Sequence, residues 1–509
     1  MKWSNGSSWY NQIEASVLAR GYPYYTWYMV DHRVYSKDIP LRVPWPIAQQ
    51  SSANLEEGRP LMTELQDSLQ TGQNALTLAE RRAAGKQLRN KVPRSNHAEW
   101  SPAANRPDPL NLLEEQNRTR LQHLVPLRFA RMAVSPFTFL RGSAIVMAED
   151  LASTPVTGIT VQICGDAHLN NFGIYATPER NQVFDVNDFD ETLPGPWEWD
   201  IKRFAASAVV AGRTNGFPAT INRRAALSGV QSYRAHMYRY SEMRSIDVWY
   251  SRIDYESSLQ FVRRTFRWYI EKQSLKASQR TSSQAFPKLT VQIEGQHRIK
   301  DDPPLIQHLD DKVLSEQLKG LVQAYRPTIQ EDRRVLLSKY SCVDVAQKVV
   351  GVGSVGTRCY VVLLLGNDNN DPLLLQIKEA QNSVLERHLG PGIHPNHAER
   401  VVSGQRLMQA ASDLFLGWTR LGNTDYYIRQ LRDMKLSVDL ATLIPEGFIE
   451  YCRFCGWALA RAHARSGDPA LISGYLGASD VFDRAIATFA ETYADQTERD
   501  HTAFVAGIR

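Results

Sequence analysis

A glycine-rich hexapeptide, "GVGSVG" at 351–356, is followed almost at once by the β-branched run "CYVVLLL". That order constrains the fold more than any other feature of the chain. A G-x-G-x-x-G loop that holds a dinucleotide must open a helix, whose N-terminal N–H groups receive the pyrophosphate. A strand follows Gly351, Gly353 and Gly356 here, so that reading fails, even though Asp371 stands twenty positions on in "GNDNND". A glycine loop between two strands can instead fold over phosphates, with a Lys on the next strand. Lys378 in "LLLQIKEA" has that placement, and an ammonium among apolar strand residues needs an anionic partner. Nucleotide phosphates would serve; a solvated strand end is the plainer alternative. The runs "CYVVLLL" and "PLLLQIK" joined by "GNDNND" read as a hairpin. Glu399, in the helical "NHAERVVSGQR", is placed to pair with Lys378 and orient it, with Glu386 as its rival.

Two acidic loops lie far ahead of this segment. In "ICGDAHLNNFG" Asp166 and Asn171 stand five apart after a β-type run. Phosphoryl transfer to a hydroxyl uses such a pair: a carboxylate that accepts the hydroxyl proton and an amide oxygen for Mg2+. In "VFDVNDFDETLPGPWEWD", Asp185, Asp188, Asp190 and Glu191 crowd a strand-to-loop transition. Carboxylates this close repel one another unless a cation neutralises them, which points to a hard metal such as Mg2+. An acidic surface loop is the alternative, but the period-2 spacing of Phe184 and Val186 buries one face of the strand and delivers the acids at its end. "GDAH" also fits a metallophosphoesterase, which needs a later Gly-Asn-His-type loop; "GNDN" and "GNTD" both lack the His.

The remaining composition excludes more than it selects. Lys and Arg total 59 against 54 acids, a net charge of +5 over 509 residues. That suits anionic ligands but lacks the concentrated basic stripe of a nucleic-acid binder. No run is long and apolar enough for a membrane helix, and "MKWSNGSSWY" lacks an apolar signal core. Five scattered cysteines complete no zinc site, and "CRFC" lies in a helical pattern, so a reduced, cytoplasmic setting is expected. Residues 1–110 read as an aromatic, partly irregular extension with one helical patch at "LTLAERRAAGKQLRNKV". Residues 111–270 carry the acidic loops between helices, and 271–340 read as linker and insertion, with the Ser-rich 272–284 as a mobile loop. The strands and glycine loop occupy 341–432, and helices fill 433–509.

"RMAVSPFTFLRG", "CGDAHLNNFG" and "NDFDETLPGPWEWDIKRFAAS" resemble the signature blocks of a largely bacterial family, domain of unknown function 2252, from about residue 85 onward. "GDAHLNN" is more distantly similar to the His-Gly-Asp-x-His-x-x-Asn loop of aminoglycoside- and choline-kinase-like phosphotransferases. The resemblance implies Asp166 as catalytic base, His168 as the second His, Asn171 and Asp188 as metal ligands, and Asp200 as a brace for the catalytic loop. Asp190 joins the metal candidates, and Arg141 in "FLRG" is a candidate for anion contact. Cys164 replaces the leading His of that loop, and Arg358 stands where those enzymes place a Val under adenine.

Because the acidic loops precede the glycine loop, the resemblance implies a circularly permuted, two-lobed protein-kinase-like α+β fold with an N-terminal extension. In that order "FCGWALARAHARSGD" is the helix that would otherwise lead into the catalytic loop. The expected activity is ATP- and Mg2+-dependent phosphoryl transfer to an unidentified hydroxyl acceptor. Nucleotidyl transfer and non-catalytic nucleotide binding are the alternatives.

Overall fold

A computed structural model describes residues 76–254, 264–367, 371–431 and 434–508, with two short strands, β1 (Tyr28–Val30) and β2 (Arg33–Tyr35). The two strands pair antiparallel, Tyr28 opposite Tyr35. They belong to a unit spanning Met1–Gly58, and everything else to a second unit, Arg59–Arg509. Most of the aromatic extension thus lies outside the described residues. Its expected helical patch is the helix Leu78–Lys91, started by a capping box: the Glu80 N–H donates to Thr77 Oγ (3.2 Å) and the Thr77 N–H to Glu80 Oε2 (2.7 Å).

Four short strands then carry the acidic loops: β3 (Thr160–Ile163), β4 (Phe172–Ala176), β5 (Gln182–Val186) and β6 (Leu193–Pro196). β3 pairs with β6, Ile163 opposite Leu193, and β4 with β5, Phe172 opposite Val186. In both pairs the last residue of the earlier or later strand opens directly into an acidic loop, so 164–171 and 187–192 emerge together. Behind them the helix Trp197–Thr214 is buried on nearly every face and packs with the helices Ala219–Ser241 and Val481–Gly507. Its apolar residues join the largest hydrophobic cluster among the described residues, and Glu198, Asp200, Lys202 and Arg203 are buried with them.

The Ser-rich stretch expected as a mobile loop is mostly helical. Residues 272–278 finish the helix Arg264–Ser278, and Thr281 caps a second helix, Ser282–Leu289. Ser and Lys cost little on a solvated helix face, and Ala277 and Ala285 supply the buried contacts that composition alone did not signal. A small hairpin follows, β7 (Thr290–Ile293) with β8 (Gln296–Ile299), and then β9 (Ile306–Gln307), which joins the main sheet.

That sheet continues with β10 (Ser341–Lys348), β11 (Cys359–Leu365), β12 (Pro372–Ala380), β13 (Gly417–Leu421) and β14 (Thr424–Gln430), in the antiparallel order β13-β14-β12-β11-β10-β9. The glycine loop joins β10 to β11, as the sequence pattern requires, and β11 pairs with β12 with Cys359 opposite Lys378. Both faces are covered, so β11 and β12 read as continuous apolar runs. One face sets Val362, Leu364, Leu375 and Ile377 against the helix Lys312–Ala324, and the other sets Val361, Leu363 and Leu374 beside the 282–289 helix. Alternation along β12 brings Gln376 and Lys378 onto the same face as Leu374. The helix His397–Met408, capped by Asn396, crosses between β12 and β13.

β15 (Leu436–Ser437) pairs with β4, so the chain leaving the sheet joins the strands of the acidic loops. The rest is helical from Pro445 onward, with Pro445 in the first turn of Pro445–Ser466. This helix crosses the 219–241 helix glycine to glycine; a Cβ on Gly456 would collide with the Gly229 carbonyl. No helix among the described residues is long and apolar enough to cross a membrane.

Candidate functional site

The loop after β3 is held from below by one carboxylate. Asp200, at the start of the 197–214 helix, accepts the N–H of Cys164 (2.8 Å) and of Gly165 (2.9 Å), and His463 Nε2 lies 3.2 Å away. Gly165 takes a left-handed φ of +78°, which turns the chain and presents Asp166. The Asp166 carboxylate accepts Arg203 Nε at 2.5 Å, and His168 Nε2 stands 3.6 Å from its other oxygen. Burial raises the Asp166 carboxyl above its ordinary value, against the pull of Arg203 and Arg141. Burial also holds His168 neutral, helped by Arg141 and Arg203, and its Nδ1 has no partner among the described residues. Asn171 donates its amide N–H to the Asp166 carbonyl at 2.8 Å, which closes the loop on itself.

The second acidic cluster is divided among three duties. Asp185 is sealed in the interior, where Arg461 Nη2 donates to both its oxygens at 2.8 and 2.7 Å. Asp188 is half-buried and its Oδ1 has no partner among the described residues. Asp190 is fully engaged: Lys378 and Ser354 Oγ donate to one oxygen and Tyr427 OH to the other at 2.8 Å. Burial opposes charge on both Lys378 and Asp190, yet their attraction wins. The Lys378 ammonium is held well above its ordinary pKa and the Asp190 carboxyl below its own. Glu191 accepts the Val384 N–H at 2.7 Å, but burial pushes its carboxyl up to about 7.

A cavity of about 780 Å3 lies over these groups, with Asp166, His168, Asn171, Asp188, Gly351 and Gly353 in its wall. Arg141 also lines it, its Nε buried without a partner among the described residues. The glycine loop is drawn down onto the site. Arg131 Nη1 donates to the Gly351 carbonyl (2.6 Å), Arg120 Nη1 to the Val355 carbonyl (2.6 Å) and the Leu121 N–H to the Gly356 carbonyl (2.8 Å). Of the expected phosphate contacts, Gly356 and Lys378 are outside the cavity wall, and so is Glu399, expected to orient the Lys. The carboxylate partner of Lys378 is Asp190 rather than Glu399 or Glu386. Glu399 Oε1 lies 3.7 Å from His394, and Glu386 accepts the Ser383 N–H. Asp190, expected to bind metal, is occupied by its three donors.

Several residues of the site gave little signal in the sequence. Arg203 and Arg400 are buried arginines, on the 197–214 and 397–408 helices. Arg400 donates to the carbonyls of Thr192 (2.6 Å), Asp190 (2.9 Å) and Gln381 (2.8 Å), and so ties the 397–408 helix to the acidic loop. Arg358 pairs with Glu379 at 3.1 Å across the strands, and both line the cavity. Cys452 and Cys455 are buried thiols, in keeping with their helical pattern.

No group of three His, Cys, Asp or Glu side chains among the described residues forms a closed metal cage. The donor set instead suits a cation with few protein ligands: Asp188 has an unpartnered oxygen, and Asn171 Oδ1 accepts no hydrogen bond from the described residues. Mg2+ is held this way, by one or two side-chain oxygens with phosphate and water.

Neither a curated protein nor a solved structure matches the chain. A family model does match, over residues 120–507, which takes in both acidic loops, the glycine loop and the C-terminal helices. The chain belongs to the family described as an uncharacterized protein conserved in bacteria, DUF2252.

Proposed function

We propose that this chain is an ATP- and Mg2+-dependent phosphotransferase acting on a hydroxyl of a small molecule or protein. The observation that carries this reading is the shared cavity, in which Asp166, Asn171 and Asp188 meet Gly351 and Gly353 from a distant part of the chain. The glycine loop between strands, with Lys378 on the strand after, supports it. So does the brace that Asp200 gives to the loop of Asp166. A permuted order needs the C-terminal end of the 445–466 helix close to β3, and Ser466 Oγ accepts the Gln162 N–H there at 3.0 Å.

In this reading Asp166 accepts the proton of the attacking hydroxyl, and Arg203 fixes the direction of the carboxylate. The acceptor oxygen bonds to the γ-phosphorus as the bond to the β-phosphate oxygen breaks, releasing ADP. Arg141 offers charge to the transferring group, and neutral His168 packs behind Asp166 without competing for its proton. Asp188 and Asn171 would hold Mg2+, which supplies neutralisation of phosphate charge when bound.

ATP turnover with product identification tests the proposal. ADP release that Asp166→Asn abolishes at unchanged ATP affinity is the expected result. Unchanged turnover in that variant would remove Asp166 from its role, and pyrophosphate in place of ADP would reassign the reaction to nucleotidyl transfer.

A further inference from the structure

A second cavity, of about 230 Å3, adjoins the first through consecutive residues: Asn187 lines the second and Asp188 the first, Val350 the second and Gly351 the first. Its wall is polar where a chain-internal gap would be apolar. Arg429 and Lys435 both face it, and among the described residues neither has an ion-pair partner. Arg429 donates Nε to Gln376 at 3.2 Å and stacks on Tyr427 at 5.4 Å, while the Lys435 ammonium reaches only the Asn187 carbonyl, at 3.2 Å. The one carboxylate in the wall, Asp413, is held by the N–H groups of Phe415 (2.7 Å) and Gln430 (2.9 Å).

Unsatisfied polar atoms surround the same space. Both amide atoms of the Asn187 side chain and Oε1 of Gln405 are buried without a partner among the described residues, and each residue is only 4% exposed. Buried polar groups are normally paired, and each exception calls for an explanation. Burial, with Arg429 and Lys378 nearby, pushes the Lys435 ammonium down to about 7 against the pull of Asp188 and Asp413, neither of which lies within ion-pair distance of it. Two cations that serve only the fold would be paired with acids, since an uncompensated charge is costly away from water.

We propose that this cavity binds a compact polyanion, phosphate- or carboxylate-bearing, held by Arg429 and Lys435 with Asn187 and Gln405 in its wall. At this size it takes pyrophosphate or a small dicarboxylate, not a whole nucleoside triphosphate. The inference stands on charge and geometry alone and does not depend on the phosphotransferase reading.

Calorimetric titration of the full chain with sodium pyrophosphate, and separately with malonate, in magnesium-free buffer is the test. Arg429→Gln and Lys435→Gln are each expected to weaken binding at least about tenfold. Arg244→Gln, at an exposed residue that lines neither cavity, should leave it unchanged. Preference for pyrophosphate identifies a phosphate ligand and preference for malonate a carboxylate. On the unsubstituted protein the bound anion should also protect Lys435 from an amine-acylating reagent, read by mass spectrometry. No binding of either anion, equal weakening in Arg244→Gln, or absence of protection at Lys435 would overturn the proposal.

Discussion

Replacing Asp200 by Asn probes how the loop of Asp166 is held. The Asp200 carboxylate accepts the Cys164 N–H at 2.8 Å and the Gly165 N–H at 2.9 Å from a position only 1% exposed. An amide keeps one acceptor oxygen and turns an NH2 group against the second donor. One charge-assisted bond is lost and one buried N–H is left without a partner, together about 3 kcal/mol. The loss is local, since it falls on 164–165 and not on the sheet. Hydrogen exchange followed by mass spectrometry reads it directly: at tenfold per ~1.4 kcal/mol, amides of 164–165 should exchange roughly 100-fold faster. Amides of β12 should keep their wild-type rates. A change at 164–165 below about threefold, or an equal acceleration throughout the molecule, would refute the assignment of Asp200 as the local brace.

Other expectations follow from single contacts. Lys378→Met leaves Asp190 with only Tyr427 and Ser354, and should lower stability by about 2 kcal/mol, less than for a sealed pair because Asp190 keeps 29% side-chain exposure. Thermal unfolding with and without Mg-ATP checks it; a variant as stable as wild type, with nucleotide stabilisation intact, would show that the pair is idle. Gly165→Ala must adopt a left-handed φ and also drive its Cβ into the Glu191 carbonyl, so a loss of about 1–3 kcal/mol is expected, read as a lowered unfolding temperature. His97 is buried and bonded to the Tyr475 hydroxyl at 2.7 Å, and burial pushes its imidazole down to about 3 from an ordinary 6.5. The unfolded chain therefore binds the extra proton, and stability should fall as pH drops from 6.5 toward 3, by about 1.4 kcal/mol per pH unit for this one group. Urea unfolding of His97→Gln across that range should show a shallower fall than wild type; an identical slope would discard the account.

Much of this arrangement was legible before any coordinates. The β-type runs after "GVGSVG", the "GNDNND" hairpin, the helix in "NHAERVVSGQR" and the helices after Pro445 all announce themselves through period and turn chemistry, which are properties of neighbouring residues. The acidic loops were also legible, because Asp166 and Asn171, or Asp188 and Asp190, lie close enough in sequence to share a loop. The helical structure of 272–289 was not, since Ser, Lys and Gln are consistent with helix or loop until Ala277 and Ala285 find buried neighbours.

What only the tertiary structure decided is which charge meets which. The sequence argument offered Lys378 two acids, Glu399 and Glu386, and packing chose a third, Asp190, because Tyr427 on the adjoining strand shares that carboxylate while Arg400 fixes its backbone. Packing likewise gave Asp185 to Arg461 and left Asp188 free, although the three acids look alike in the string "DVNDFD". It drew residues 120–131 onto the glycine loop and set Arg429 and Lys435 in the wall of one cavity. Local pattern determines which segments become strands, helices and loops, since those choices rest on bonds a few residues long. Partners hundreds of residues apart are settled only when the faces of those elements are buried together, and there desolvation decides which charges must be paired.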